Sequence, residues 1–168
     1  MRDYYLIRNF TKPFKIFLVN FIIVLSIGFY TGVFFVRQTE SDIPKGIVEN
    51  YNGNEDIALI PSVMKFKKGK REMLTIIHTH ILSISFIFVL LGIMVWGTEI
   101  SIFWKSFLTI EPFISLLTTF GGIYLIWLGY EWISYLVMIS GFLMIITYLT
   151  ETLIVLYSLF KPPIKNVE

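Results

Sequence analysis

His78 and His80 are the only histidines in the chain, two residues apart where an apolar run begins. Neutral imidazole is the commonest protein ligand for a metal, and one at the edge of a bilayer marks a site because an unpaired polar group is costly there. The chemistry this suggests is ligation of a b-type haem, with His as axial ligand and Met138, Met144 or a histidine of a second copy as the sixth. Another metal held by His78 and His80 is the alternative. The plainer reading is two hydrogen-bonded interface residues.

Spacing sorts these readings. Successive residues of a helix turn by about 100°, so His78 and His80 point to nearly opposite sides and cannot chelate one metal from an ideal helix. His78, Ser85 and Gly92 are each seven apart and share a stripe. A histidine above small side chains suits a flat macrocycle, and it equally suits close helix packing. The stripe makes His78 the expected ligand ahead of His80. Lys67, Lys68, Lys70 and Arg71 lie just before the histidines, where they could meet haem propionates or lipid phosphates.

The elements that must position these groups are membrane spans. Of 168 residues, 55% are hydrophobic and 15% charged, outside the usual range of a soluble domain. A helix needs about 20 mostly apolar residues to cross the hydrocarbon core. Residues 14–36, 74–96, 112–130 and 133–160 qualify, leaving 37–73 as one long loop and no room for a separate soluble domain. The fold class expected is all-α, a single four-helix bundle spanning the lipid bilayer. The absence of cysteine excludes disulfides, iron–sulfur clusters and c-type haem attachment. A net charge of +2 is too small to argue for nucleic acid. The basic start of the chain resembles a signal peptide, but the apolar run after it has spanning length and no small-x-small cleavage site follows, so it reads as a retained helix.

Gly28 and Gly32 in the first span form a small-xxx-small pattern, used either for packing within the chain or as a dimer face. The long loop starts with turn formers and acids and ends in the basic run. Its apolar residues Ile57, Leu59, Ile60, Val63 and Met64 are expected to pack across the mouth of the bundle. Residues 97–111 read as interfacial, with Glu111-Pro112 opening the third span. The link 129–132 is so short that the third and fourth spans must be antiparallel neighbours. Lysine and arginine divide seven against seven between the two sides, with Arg2 and Lys165 on the side of the termini. The first helix then favours cytoplasmic termini.

Glu151 stands in Thr147-Tyr148-Leu149-Thr150-Glu151-Thr152, a polar patch within an apolar helix. A carboxyl at that depth could relay a proton, or bond Thr147 and a tyrosine of a neighbouring helix. No nucleophile–base constellation or phosphate-cradling glycine loop is present, and Gly121-Gly122 reads as packing. Gly46-Ile47 with Glu49, Tyr51 and Gly53, then Met64-Lys65-Phe66, Glu72 and His78-x-His80 resemble small four-helix bacterial membrane proteins in which a His-x-His opens the second span. That resemblance implies that loop and histidines work together. The expectation is a b-haem or metal-binding protein of a bacterial cytoplasmic (inner) membrane serving electron transfer, as a homo-oligomer or a subunit of a larger complex. The alternative is a non-catalytic structural or assembly subunit.

Overall fold

The computed structural model of the protein describes residues 6–39, 43–55 and 63–164. Four long helices carry spans of membrane length: α1 (Lys12–Gln38), α3 (Lys70–Trp96), α4 (Ile102–Trp127) and α5 (Ser134–Phe160). A short helix, α2 (Pro44–Asn52), lies in the long loop, and all described regular structure is helical. The segment before α1, the end of α5 and the α3–α4 turn share one side of the bundle; α2 and the α4–α5 turn share the other.

The α4–α5 hairpin is the centre of the bundle. Its turn uses Gly129 at φ 107°, a conformation a side chain would strain, followed by a single 3-10 turn over Glu131–Ile133. Gly122 lets α5 approach closely. A Cβ there would stand 2.5 Å from Val137 Cγ2 and 3.2 Å from Ile133 Cγ2. Gly121, beside it, faces open space. Helix α3 packs on α4, where Gly92 closes against Thr109. Helix α1 leans on α5 and buries only Leu18 and Ile22.

The third span begins ten residues earlier than the sequence suggested. Pro112 is buried inside α4 rather than opening it. A proline costs the helix one backbone bond, which a membrane helix tolerates where its neighbours restore the lost partners. Lys105, expected in an interfacial loop, reaches back and donates from Nζ to the Trp96 carbonyl at 2.9 Å. It thereby satisfies one of the open carbonyls at the end of α3.

The loop packs on the bundle as expected, through different residues. Val63 and Met64 are exposed, while Ile47 of α2 is buried and α2 contacts α4 and α5. Ile57, Leu59 and Ile60 lie outside the described residues, as do Arg2 and Lys165. Asn52 Nδ2 donates to the Ile126 carbonyl at 2.7 Å, and Trp127 Nε1 donates to the Lys68 carbonyl at 2.7 Å. Asn54 clamps the returning strand of loop through Val63 O and Lys65 N. Gly53, at φ 85°, leaves no room for a Cβ beside Lys67 N. Burial pushes the Tyr51 hydroxyl above its ordinary pKa, with the Asn50 side chain pulling the other way.

On the opposite side a second clasp joins the N-terminal segment to the ends of the spans. Arg8 donates twice to Pro162 O, at 3.0 and 2.7 Å, and pairs with Glu99. Lys161 also pairs with Glu99, at 2.8 Å. These two cations hold the Glu99 carboxyl below the usual carboxylate range, Lys161 contributing more.

A candidate carboxylate site in the α4–α5 seam

In a membrane bundle the lipid takes the apolar side chains and the interior takes the small and polar ones. This chain keeps apolar residues such as Phe88, Leu91 and Leu116 inside, and adds to them a run of small and polar ones. Ser115 and Thr119 of α4 are buried, as are Ser134, Ser140, Thr147, Glu151, Thr152 and Ser158 of α5. Antiparallel packing sets them side by side. Thr119 and Ser140 meet at 2.7 Å, and since Ser140 gives its proton to the Val137 carbonyl at 3.1 Å, Thr119 is the donor between them.

Glu111 is the centre of this seam. Its Oε1 accepts from Ser115 Oγ one turn along α4, and its Oε2 accepts from Thr147 Oγ1 across on α5. The repeat Glu111, Ser115, Thr119 holds the three side chains on one face of α4 by its four-residue spacing. Glu111 lies nine residues into α4 and Glu151 nine residues before the end of α5, so both stand about 14 Å from the same side. Thr147, which bonds Glu111, stands one turn before Glu151 on α5, so the two acids lie on neighbouring turns of the seam.

Glu151 is fully buried, and neither of its oxygens has a hydrogen-bond partner among the described residues. The bonds expected for it go elsewhere: Thr147 bonds Glu111, and Tyr148, on the same helix, meets Ser26 of α1 at 3.0 Å. Tyr148 is also stacked by Phe29 at 3.7 Å and met edge-on by Phe88 at 6.4 Å. This packing closes the seam on its α1 and α3 sides.

Glu111 is the candidate site residue that sequence reasoning missed. Assigned to the start of a helix, it looked like a dipole cap; inside a continuous α4 it becomes an intramembrane acid. The signal was present in the four-residue repeat with Ser115 and Thr119.

The histidine region is arranged differently. Both histidines are exposed on α3. His80 Nδ1 is 2.7 Å from the Ile76 carbonyl, and because a carbonyl only accepts, Nδ1 carries the proton in that bond. Its ring stacks on Phe120 of α4 at 5.0 Å. His78 lies in a shallow trough with Lys70, Arg71, Leu74 and Thr75. The stripe of His78, Ser85 and Gly92 does not make a bed for a flat ring. Ser85 bonds its own helix at Leu82 O, and Gly92 is filled by Thr109 at 3.1 Å from a would-be Cβ. Met138 is partly exposed on α5, while Met144 is buried. Lys68 pairs with Glu72 at 2.8 Å, and Lys67 sits 5.6 Å over the Trp127 ring. Among the described residues no group of three or more His, Asp or Glu side chains is placed to hold a metal ion.

Residues 41–166 match a family model described as a transmembrane helical domain. The match takes in α2 to α5 and covers well over half of the sequence; the chain belongs to this family of integral membrane proteins. No curated protein and no solved structure matches it.

Proposed function

We propose that the protein carries protons through the membrane along the α4–α5 seam, with Glu111 and Glu151 as the exchanging groups. The supporting observation is Glu151, a fully buried carboxyl without a hydrogen-bond partner among the described residues, at the depth of a second carboxyl. Placing an acid at the centre of a span costs about 3 kcal/mol, whereas an interhelical hydrogen bond within a membrane returns about 0.6 kcal/mol on average. Glu151 makes no such bond, so packing does not account for it. The hydroxyls of Thr147, Ser115, Thr119 and Ser140 extend from the pair toward the loop side and can pass a proton by rotating.

The test is proton flux in sealed vesicles with an enclosed pH dye and a potassium diffusion potential. Wild type should collapse the gradient at least tenfold faster than protein-free vesicles, and Glu151→Gln should return to the background rate. Equal rates for wild type and Glu151→Gln would refute the proposal.

A second reading, the b-haem or other metal site with electron transfer, is favoured by the His80 geometry. The Nδ1–H bond to the Ile76 carbonyl fixes the ring in the way such a bond orients metal-ligating histidines, with Nε2 as the ligating atom. This moves the proposed ligand from His78 to His80. His80 is exposed on α3, so a cofactor there would be covered by a second copy or a partner subunit, the oligomer expected for this chain. A Soret band lost in His80→Ala and kept in His78→Ala would support it. We place the protein in a bacterial cytoplasmic membrane with both termini inside, on the dominance of the first helix.

A further inference from the structure

We propose that the first turns of α3 hold the headgroup of an anionic phospholipid, seated between Lys70 and Arg71 and reaching down to His78. This site is separate from the carboxylate seam and stands on other observations. Lys70, Arg71, Leu74, Thr75 and His78 line a shallow trough that opens outward along one face of α3. Both cations are exposed, and neither meets a carboxylate among the described residues. The neighbouring acid of this helix, Glu72, is occupied by Lys68 at 2.8 Å. The trough therefore presents two uncompensated positive charges at the membrane surface.

The order of chemistry down the trough matches a lipid rather than a free phosphate. The cations are at the top, where a phosphate lies. Thr75 and His78 follow, His78 about 12 Å below Lys70 along the helix, at the depth of the polar linkage to the acyl chains. Below them Leu82 is half exposed and continues the surface into hydrocarbon. A free phosphate would use only the top of this surface. A polybasic segment next to a span attracts anionic lipid through its cations.

Native mass spectrometry of the full chain from mixed phosphatidylglycerol and phosphatidylcholine nanodiscs tests the site. Wild type should retain phosphatidylglycerol and shed phosphatidylcholine, and Lys70→Gln/Arg71→Gln should lose about tenfold of the retained lipid. Lys45→Gln, a cation on the same side that pairs with Glu49, should behave as wild type. The charge-keeping swap Lys70→Arg/Arg71→Lys should keep the lipid, which separates loss of charge from loss of fold. Retention unchanged in the Gln pair, equal retention of both lipids, or release of the lipid by inorganic phosphate would each overturn the proposal.

Discussion

Helices α1 and α5 are both 27 residues long and apolar enough to cross a membrane, yet they are built for different surroundings. Helix α1 buries Leu18 and Ile22; α5 buries eleven residues, among them Ser140, Thr147, Glu151 and Ser158. The family match includes α5 and excludes α1. In a soluble protein the more hydrophobic face finds the core. Here most of the large hydrophobes of α1 are exposed, while α5 buries Val137, Met144, Tyr148, Val155 and Leu159 together with a set of hydroxyls and an acid. Buried polar content, rather than hydropathy, separates the central pair of helices from the peripheral one.

Glycines give the sharpest way to break this comparison. Gly122→Leu would drive a side chain into Val137 and Ile133 and should destabilise the bundle by about 1–3 kcal/mol or more, read as a lower unfolding midpoint in detergent. Gly28→Leu/Gly32→Leu should leave that midpoint unchanged, because a Cβ at either position meets nothing within 4 Å. If these open glycines serve a second copy, the same variant should shift native mass spectra from dimer to monomer. A drop in midpoint for the α1 variant alone would reverse the ranking of the two helices.

Next in size is Glu151→Met. Replacing an unpartnered buried acid by an apolar side chain of similar volume should raise stability by about 1–3 kcal/mol while abolishing proton flux. Loss of both together would make Glu151 a structural residue.

The smallest effect concerns the clasp at the termini. Because Lys161 and Arg8 hold the Glu99 pKa below its ordinary value, its contribution is present above the unfolded carboxylate pKa and is lost as pH falls through the folded one. A thermal melt series should lose stability toward acid in wild type, and Glu99→Gln should remove part of that slope. The pair is surface-exposed, so the change should be small.

Much of this architecture was legible in the sequence, and the misses have identifiable causes. The first two spans and the antiparallel hairpin followed from apolar length and the short link at Gly129. The start of α4 did not, because Lys105, Glu111 and Pro112 look like interface and helix start; Lys105 reaches Trp96 O at the end of α3, and Glu111 is met by Ser115 on its own helix and by Thr147 on α5. Helix α2 was hidden in a segment of turn formers, since Ile47 gains its burial from contacts distant in sequence. Glu151 was visible as an anomaly, but its partner acid required the true length of α4. The histidine stripe shows the limit of periodicity: seven-residue spacing aligned His78 with Gly92, and only packing revealed that Thr109 fills the space.

Infrared difference spectroscopy of reconstituted protein, recorded as the pH inside the vesicles is stepped, looks directly at the proton on the carboxylate pair. The account predicts a carbonyl stretch of a protonated carboxylic acid that changes with pH, shifts in heavy water and disappears in Glu151→Gln while the bundle remains folded. A spectrum without such a band, or one unchanged in both Glu111→Gln and Glu151→Gln, would contradict it.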